Sequence, residues 1–373
     1  MGNKLKPIRE DILMKKVAII GTQGVPAKYG GFETLVENML GKNCSPEVSY
    51  TVFCSSKDYD EYPSSYKGAS LRYVPLHANG AQSTPYDILS LWKAMREYDV
   101  ILVLGVSGCI CLPLFRLFCK KKLVVNIDGL EHRREKWGRF AKWFLRYSEK
   151  MAVKYADVVV SDNKGIQDYV KQTYGKDSAL IAYGGDHVER ELSVEQQEAM
   201  LKRYGVKKGD YSFTVCRIEP ENNCHVTLEA FAQTGDRLMF VGNWEKSEYG
   251  RALKEKYKEV VTLSLLDPIY DLDTLYAFRA NCKFYVHGHS AGGTNPSLVE
   301  AMYFGRPILA YDVVYNRETT ENATCYFRTV LELVAVLNIK EEEAWRESAQ
   351  KMKEIANRRY LWKVVARQYE ELY

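Results

Sequence analysis

A glycine-rich turn that leads into a predicted helix carries the clearest chemistry in this chain, at residues 287–302, HGHSAGGTNPSLVEAM. Asn295 is a favourable N-cap and Pro296 suits the first helical position, so a helix is predicted to begin there. The first backbone N–H groups of a helix point out of its end and attract anions such as a diphosphate. Glu300, about one turn further on, could accept hydrogen bonds from the hydroxyls of a ribose. The pattern indicates a nucleotide-sugar site, and the alternative is an ordinary strand–loop–helix connection.

A cation for the same site is predicted at Arg217, which ends a predicted strand in the segment CRIEPENN. Its guanidinium could pair with a diphosphate held at the start of the later helix. The alternative is an ion pair with Glu219 or Glu221. Trp244 ends the next predicted strand and is a candidate for stacking on a base, with simple core packing as the alternative.

A second loop of interest lies near the amino end, GTQGVPAKYGGFET at residues 21–34. It lacks both the GxGxxG spacing of a dinucleotide site and the GK[ST] ending of a P-loop. Gly30 and Gly31 would let the backbone approach a ligand closely, and Glu33 is predicted to project toward the same place. The alternative is a surface loop without a ligand.

Asp128 stands at the end of another predicted strand, in the segment VNIDGLEHRREKW. Side chains at the carboxyl ends of parallel strands face the ligand cleft of a doubly wound fold. A carboxylate there could bind a sugar hydroxyl or accept a proton, and the alternative is that Asp128 caps the turn before Gly129. Glu131 follows in the same loop as a further candidate, whereas His132 is assigned no role.

These residues need a scaffold, and strand-like and helix-like segments alternate along the chain in a way that supplies one. Buried apolar runs separated by helical segments predict parallel sheets with helices on both faces. A charged stretch interrupts the alternation, which then restarts, so two similar α/β domains are predicted with a boundary near residues 185–210. Their cleft would lie at the carboxyl ends of the strands. Trp362, Val365 and Tyr369 share one face of a predicted C-terminal helix, which we expect to pack back onto the first domain.

The amino-acid composition is compatible with many classes of protein and excludes few of them. The 373 residues, 46% of them hydrophobic, suffice for two packed domains, and the net charge of +4 does not indicate nucleic-acid binding. The nine cysteines form no CxxC pair and no metal-like grouping with histidines, which is typical of reduced cytoplasmic thiols. Residues 1–14 are not expected to be a secretory signal, and the longest uncharged run, residues 100–115, is too short and too interrupted for a membrane span.

A basic helix with aromatic residues is predicted over residues 133–154. One face carries aromatic side chains and roughly the opposite face carries Arg139, Lys142, Arg146 and Lys150. A basic face bordered by aromatic residues suits an anionic membrane surface or a phosphorylated lipid. The alternative is a core-facing aromatic stripe with a solvated basic back.

Taken together, the motifs GTQGVPAKYGGFET, NIDGLE, CRIEPENN and HGHSAGGTNPSLVEAM resemble those of glycosyltransferase family 4, and within it the bacterial rhamnosyltransferases of capsule and cell-wall polysaccharide assembly. The resemblance spans nearly the whole chain. It implies the GT-B fold, which consists of two Rossmann-like, doubly wound parallel-sheet domains facing a cleft. Residues 1–190, joined by a C-terminal helix over 357–373, would bind the acceptor, and residues 205–356 would bind the nucleotide-sugar donor.

The resemblance also assigns roles to single residues. Glu300 matches the second glutamate of the family's two-glutamate motif, Arg217 matches the arginine of its phosphate pair, and Gly30 and Gly31 match the glycines of its first loop. Three positions depart from the family pattern. Gly292 replaces the first glutamate, Asn222 replaces the phosphate-binding lysine, and Asp128 replaces a histidine.

The activity implied by the resemblance is retaining transfer of L-rhamnose from dTDP-L-rhamnose to a polyprenyl-diphosphate-linked sugar. No metal or other cofactor is expected, and the enzyme would lie at the inner face of the cytoplasmic membrane. Asp128, Arg217 and Glu300 are the predicted catalytic residues. The predicted donor and diphosphate site comprises Arg217, Asn222, Gly292, Gly293, Thr294, Asn295, Ser297, Leu298 and Glu300. The predicted acceptor side comprises Gly30, Gly31, Glu33, Asp128 and Glu131.

Four alternatives remain open at the level of sequence. A family 4 enzyme could use a UDP or GDP sugar, and a sugar-nucleotide epimerase shares the fold but needs no acceptor. An NAD-dependent dehydrogenase is disfavoured by the missing GxGxxG spacing. A non-catalytic protein that binds lipid-linked sugar would need the basic helix but not the diphosphate site.

Overall fold

The computed structural model describes residues 14–28, 30–41, 44–133 and 137–373. The described residues form two α/β domains, each built on one sheet. The first sheet lies between residues 15 and 180 and the second between residues 212 and 327, so the predicted boundary near 185–210 falls between them. The predicted fold class is confirmed.

The first sheet has the strand order β3-β4-β2-β1-β5-β6-β7-β8, and its strands are parallel except for the β3–β4 pair at one edge. The strands are β1 (Lys15–Ile20), β2 (Val48–Ser55), β3 (Ser65–Tyr66), β4 (Ala69–Val74), β5 (Val100–Leu104), β6 (Lys122–Asn126), β7 (Val158–Ser161) and β8 (Ala179–Leu180). The helices are α1 (Gly31–Met39), α2 (Ser83–Ala94), α3 (Leu112–Phe118), α4 (Arg139–Tyr155) and α5 (Lys164–Tyr174).

The second sheet is parallel throughout, in the order β11-β10-β9-β12-β13-β14. Its strands are β9 (Ser212–Val215), β10 (Leu238–Val241), β11 (Leu263–Leu266), β12 (Tyr285–His287), β13 (Ile308–Tyr311) and β14 (Cys325–Phe327). The helices that follow the first domain are α6 (Val194–Arg203), α7 (Cys224–Thr234), α8 (Glu248–Tyr257), α9 (Leu272–Asn281), α10 (Pro296–Met302), α11 (Val314–Thr319), α12 (Val330–Leu337), α13 (Glu342–Arg359) and α14 (Trp362–Glu370).

Both sheets are buried on both faces, which explains their continuous apolar strands. In β1, Val17 and Ile19 join one hydrophobic core while Ala18 and Ile20 join another on the opposite face. Successive strand residues point to opposite faces, so a strand covered by helices on both sides needs apolar residues at every position. The continuous apolar runs in the sequence therefore come from strands of parallel sheets that are covered on both faces, and not from strands with one face in solvent.

Strand order sets the place of the cleft. Order reverses between β1 and β5 in the first sheet and between β9 and β12 in the second. In doubly wound folds, ligands bind in the crevice at the carboxyl ends of the strands beside such a reversal. Loop 21–30 follows β1, and loops 216–223 and 288–295 follow β9 and β12, so the predicted motifs lie at these two places.

The C-terminal segment differs from the prediction of a single helix over 357–373. Helix α13 ends at Arg359, Leu361 is extended, and α14 begins at Trp362. The break lets the chain cross back to the first domain, where Tyr369 accepts a hydrogen bond from Asn126 at 2.7 Å. The predicted apolar face of the last helix does pack in the first domain's core.

The basic helix also begins later than predicted. Helix α4 starts at Arg139 because Gly138 is extended and occupies the N-cap position, and residues 131–133 form a separate 3₁₀ turn. Residues 134–136 of the predicted helix lie outside the described residues. Helix α1, the first α-helix of the described ranges, begins at Gly31. Among the helices of the described ranges, none combines the length and apolar character needed to cross a bilayer.

Candidate active site

Two loops of the second domain are held together by hydrogen bonds at the reversal point of its sheet. Asn222 donates its Nδ2 to the carbonyl of Arg217 at 2.7 Å, and its Oδ1 lies 2.6 Å from Nδ1 of His289. Ser290 donates both its N–H and its hydroxyl to the carbonyl of Glu221, at 2.8 and 2.9 Å. The motifs CRIEPENN and HGHSAGG thus form one surface. Asn222 is buried, and its carbonyl oxygen and one of its two amide N–H groups are used within this network, so its role as a diphosphate ligand stays a prediction.

Arg217 projects from this surface. Its side chain is exposed and makes no hydrogen bond or ion pair with any residue that the structure describes, so the alternative pairing with Glu219 or Glu221 does not form. Its carbonyl, by contrast, is fixed by Asn222. The backbone is therefore held in place while the guanidinium stays available for an anion.

The backbone N–H groups expected at the start of α10 are not free. Asn295 forms the predicted cap, and its own Oδ1 accepts from the N–H of Ser297 at 3.0 Å while its carbonyl accepts from the N–H of Leu298 at 3.1 Å. A strong N-cap satisfies the same donors that an anion would need. The sequence prediction of Ser297 and Leu298 as free amide donors is therefore wrong.

The open amides lie slightly upstream, in the glycine turn. Within the described part of the chain, the N–H groups of Gly292, Gly293 and Asn295 have no hydrogen-bond partner. Gly292 has a left-handed backbone with φ 93°, which glycine adopts without strain. These three amides, and not those at the start of α10, are therefore the unbonded donors of this loop, with Gly293 buried and the other two partly exposed.

Thr294, a predicted diphosphate residue, is buried and serves the contact between domains. Its N–H donates to Oδ2 of Asp162 at 2.9 Å and its hydroxyl donates to the Asp162 carbonyl at 2.6 Å. Asp162 follows β7 of the first domain, so these bonds join the two halves of the cleft. The prediction for Thr294 is corrected, because both of its donors are already used.

Asp162 is a site residue that the sequence reasoning missed. Burial raises its pKa well above the usual value, and the neighbouring charge of Asp128 raises it further, against the opposing effect of the Thr294 hydrogen bond. Its second oxygen, Oδ1, is buried without a hydrogen-bond partner, and a Cβ on Gly293 would lie 1.9 Å from it. The signal was available, since Asp162 directly follows the apolar run at residues 158–160 and Ser161, and stands at a strand tip as Asp128 does.

Asp128 also lies at this contact. Its backbone is left-handed with φ 60°, a conformation that Asp tolerates better than most residues, and its N–H donates to Oδ1 of Asn126 at 2.9 Å. A Cβ on the next residue, Gly129, would lie 2.6 Å from Cα of Gly292. The structure thus brings Asp128 next to the glycine turn of the other domain, beside Asp162.

The rest of the Asp128 loop is fixed to the helices behind it. Glu131 accepts a hydrogen bond from the Trp137 indole at 3.1 Å, and Nδ1 of His132 lies 3.1 Å from Oε2 of Glu149 on α4. Glu149 also accepts from two tyrosine hydroxyls. Burial alone would raise the pKa of Glu149, but His132 and the tyrosines outweigh it and hold the pKa below its usual value. His132 therefore contacts a buried carboxylate behind the loop.

Glu300 is held by two donors. Arg279 of α9, which the sequence reasoning missed, pairs with its Oε2, and Nε2 of His187 lies 3.4 Å from its Oε1. Burial would raise the pKa of Glu300, but Arg279 and His187 outweigh it and hold the pKa below its usual value. The side chain is 15% exposed, so it is an anionic acceptor with limited access. This environment suits a carboxylate that accepts hydrogen bonds from ribose hydroxyls.

The first loop contributes backbone but not the predicted carboxylate. Gly31 lies across the cleft from α10, since a Cβ there would be 3.7 Å from Cγ of Pro296. Gly30 has a left-handed backbone with φ 133° and precedes α1. Glu33 is only 8% exposed, and its Oε1 accepts from the Thr22 hydroxyl and the Gln23 N–H at 2.9 and 2.8 Å. Its predicted role toward a ligand is corrected, because the carboxylate holds its own loop.

Trp244 does not stack on a ligand. It is fully buried, its indole N–H donates to the Leu266 carbonyl at 3.0 Å, and its ring packs edge-on against Phe240. The core-packing alternative is therefore the correct one. In the described ranges, His, Cys, Asp and Glu side chains form no group of three that could hold a metal ion.

Each of the two domains matches a different family of known proteins. Residues 196–358 match the family described as glycosyl transferases group 1, and residues 14–186 match a domain of unknown function, DUF1972. The O-antigen chain mannosyltransferase RfbU of Salmonella typhimurium is 20% identical over 276 residues, which are 72% of this chain and 70% of that protein.

Solved structures agree on the architecture. Sucrose-phosphate synthase of Thermosynechococcus elongatus aligns with a TM-score of 0.79 at 15% identity, covering 96% of this chain and 98% of that one. HepE of Anabaena in complex with UDP-glucose aligns with a TM-score of 0.75 at 16% identity, covering 96% and 98%. The fold is that of the GT-B glycosyltransferases. The match over residues 196–358, together with this likeness of fold, indicates a glycosyltransferase.

Proposed function

We propose that the protein transfers a sugar, L-rhamnose from dTDP-L-rhamnose, with retention of configuration to a polyprenyl-diphosphate-linked saccharide. The observation that carries the nucleotide-sugar part is the anion site at the reversal point of the second sheet. There the exposed guanidinium of Arg217 and the unbonded amides of Gly292, Gly293 and Asn295 come from adjacent loops. The choice of rhamnose rests on the sequence resemblance and on the loss of the family's first glutamate at Gly292.

The chemistry follows from charge. Departure of a nucleoside diphosphate builds negative charge on its oxygens, and preorganised N–H donors together with a guanidinium stabilise it. In this proposal these groups take the place of a metal cation. Glu300 accepts hydrogen bonds from the ribose. The acceptor hydroxyl attacks the anomeric carbon from the face that the diphosphate leaves, and its proton passes to the departing phosphate. Asp128 orients sugar hydroxyls.

A panel of nucleotide sugars tests the donor. The thermal stability of the purified protein is measured with dTDP-L-rhamnose, UDP-glucose and GDP-mannose, since a ligand that binds the folded state raises the melting temperature. A rise with dTDP-L-rhamnose supports the proposal and leads to transfer assays on polyprenyl-diphosphate-linked sugars. A rise with no member of the panel contradicts nucleotide-sugar transfer and favours the non-catalytic alternative.

A UDP-sugar donor is the second candidate. It is supported by the structural likeness to HepE, whose complex contains UDP-glucose. Stabilisation by UDP-glucose without stabilisation by dTDP-L-rhamnose would keep the transferase and replace the donor. Conversion of the nucleotide sugar in the absence of any acceptor would instead indicate an epimerase.

A role in surface polysaccharide assembly, at the inner face of the cytoplasmic membrane, is the third part of the proposal. The relative from Salmonella is named an O-antigen chain mannosyltransferase, and a lipid-linked acceptor would require the enzyme to reach a membrane. Helix α4 offers a surface for this. Phe140 and Trp143 are 77% and 61% exposed, and Tyr147 continues the stripe on the same helix. The core-facing alternative fits only the later half of α4, where Met151 is buried.

A second exposed apolar group adjoins the first. On α3, which packs against α4, Leu117 is 76% exposed and Phe118 is also exposed. The basic side chains of α4 and Lys120 to Lys122 supply positive charge nearby. Exposed aromatic and aliphatic side chains ringed by cations suit an anionic bilayer.

Vesicle co-sedimentation tests the membrane surface. The wild type should sediment with phosphatidylglycerol vesicles and not with phosphatidylcholine vesicles, and a Phe140→Ser, Trp143→Ser double variant should lose most of this binding. Tyr270→Ser, which changes an exposed aromatic residue of the second domain, is the matched control. Equal sedimentation of wild type and double variant would contradict the assignment of α4 to the membrane.

A further inference from the structure

The two segments that cross between the domains are packed against each other. Gly185 donates its N–H to the carbonyl of Tyr360 at 2.7 Å, and Trp362 donates its N–H to Oδ1 of Asp186 at 2.8 Å. The approach is close, since a Cβ on Gly184 would lie 2.5 Å from the Trp362 ring. The first crossing, which includes residues 184–187, and the second, at residues 360–362, therefore form one unit at the junction of the domains.

His187 belongs to this unit, and its hydrogen bonds define its tautomer. The indole Nε1 of Trp362 lies 2.9 Å from Nδ1 of His187. An indole N–H can only donate, so Nδ1 must accept and the proton of the neutral ring is on Nε2. Nε2 faces Oε1 of Glu300 at 3.4 Å. The imidazole thus donates toward Glu300 while it accepts from Trp362.

Glu300 therefore has its two oxygens fixed from two directions. Arg279 on α9 holds Oε2 from inside the second domain. His187 approaches Oε1 from the crossing segment, which is part of the connection to the first domain. A ligand hydroxyl that binds Oε1 of Glu300 shares this oxygen with a group that is anchored at the domain junction.

We infer that His187 is a positioning residue, which orients the Glu300 carboxylate for a ribose and ties it through Trp362 to both interdomain crossings. The inference rests on the proposed function, because it assumes that Glu300 binds a nucleotide. It goes beyond that function because it connects the nucleotide site, through His187, to the two segments about which the domains would move.

Two substitutions separate the two hydrogen bonds of the imidazole. In His187→Gln the side-chain amide can occupy the place of Nε2 and donate to Glu300, but it no longer reaches the Trp362 indole. In His187→Asn the shorter side chain can place its carbonyl near the Nδ1 position and accept from Trp362, but the donor to Glu300 is lost. If His187 only packs against Trp362, His187→Asn should disturb nucleotide binding less than His187→Gln does. If His187 positions Glu300, His187→Gln should be the milder of the two changes.

Isothermal titration with dTDP and UDP is the readout, with thermal melting as the check of folding. We expect His187→Asn to weaken nucleotide binding roughly ten-fold, the size of one lost hydrogen bond to a charged group, and His187→Gln to retain most of the affinity. His77→Asn, a change of the same type at an exposed first-domain histidine, should bind as the wild type does.

The outcomes distinguish the inference from the function on which it rests. Nucleotide binding by the wild type with equal affinity in His187→Asn overturns the inference and leaves the proposed function standing. The absence of any nucleotide binding by the wild type overturns both. A Trp362→Phe variant adds a second check, since it keeps an aromatic ring but removes the indole N–H. Its nucleotide affinity should fall only slightly, as in His187→Gln, which loses the same bond to the indole. A larger loss than in His187→Asn would show that the packing of Trp362, and not the donor to Glu300, controls nucleotide binding.

Discussion

The two sides of the cleft present opposite polar groups. The second domain offers the guanidinium of Arg217 and unbonded backbone amides in the turn at residues 292–295. The first domain offers carboxyl groups at its strand ends, Asp128 after β6 and Asp162 after β7. The two sets meet where Gly129 touches Gly292, so cation and amide donors lie beside acids across the domain junction.

This difference separates the two substrates by chemistry. Guanidinium and amide N–H groups bind phosphate oxygens, whereas carboxyl groups bind the hydroxyls of a sugar. In the proposed function, the donor diphosphate binds the second domain and the reacting sugars lie toward the first. The donor side relies largely on backbone groups that many sequences could supply, while the acidic side relies on particular side chains. Specificity for the sugars is consequently expected to depend on the first domain.

The largest expected effect is on the cationic side. Arg217→Ala should weaken binding of a nucleoside diphosphate by roughly ten- to a hundred-fold, since a hydrogen bond to a charged group is lost, while binding of the nucleoside without phosphates stays the same. Transfer should fall further, by about 100-fold or more, because charge on the leaving diphosphate grows in the transition state. Titration calorimetry measures the first effect, and Arg346→Ala, an exposed arginine of α13, is the control. Equal loss for nucleoside and nucleoside diphosphate would contradict a phosphate role.

The contact between the two sides can be broken by one methyl group. In Gly129→Ala the new Cβ would lie 2.6 Å from Cα of Gly292, so the loops must move apart, with an overpacking cost of about 1–3 kcal/mol. We expect transfer to fall roughly ten-fold with little change in nucleotide affinity, because the donor loops remain bonded to each other. Gly138→Ala is the matched control, since no atom of the described ranges lies within 4 Å of its added Cβ. An unchanged rate in Gly129→Ala would show that the approach of the two loops is not needed.

The acidic side should respond more modestly. Asp128→Asn keeps the shape of the side chain and its left-handed backbone but removes the charge, so we expect the transfer rate to fall about ten-fold, the value of one charged hydrogen bond. Nucleotide affinity should not change, because the diphosphate site lies on the other domain. Steady-state rates together with nucleotide titrations test this separation. A normal rate would mean that Asp128 only shapes the turn before Gly129.

The last prediction concerns stability and not transfer, at an acid of the first domain outside the proposed chemistry. Burial raises the pKa of Asp87 to about 7, against hydrogen bonds from Ser107 and the Gly108 N–H. Because the folded pKa exceeds that of the unfolded chain, the unfolded state releases its proton first, and stability falls as pH rises from about 4 to 7. Asp87→Asn cannot ionise, so its stability relative to wild type should improve by on the order of 2 kcal/mol between pH 5 and pH 8. Urea denaturation at both pH values measures it, and a constant difference would contradict the shifted pKa.

Much of the fold could be predicted because its signals are local. Apolar runs such as 100–104 identify strands buried on both faces, and the pair Asn295-Pro296 identifies the start of α10. The start of the basic helix was predicted too early. Basic and aromatic residues extend back to residue 133, but Gly138 is extended and the helix begins only at Arg139. The break at Leu361 was missed for a related reason, since the residues on both sides favour helix and only the crossing between domains separates them.

The candidate site was predicted less well, and the errors share one cause. Ser297 and Leu298 were counted as free donors although the cap that marks the helix also satisfies them. Glu33 was assigned to a ligand although it holds its own loop, and Thr294 was assigned to a phosphate although it binds Asp162. In each case the sequence identifies a group that can form hydrogen bonds, but it does not show which partner that group takes in the folded protein.

By itself, the sequence determined the alternation of strands and helices, the two-domain division as a prediction, and the loops in which the polar residues stand. These features depend on backbone preference and on the spacing of apolar residues, which act over a few positions along the chain. The tertiary structure decided which of those polar groups are already bonded and which remain open. It gave Glu300 its partners Arg279 and His187, and it placed Asp162 against the glycine turn of the other domain. Such pairings depend on how distant segments are brought together by packing, and no local pattern contains that information.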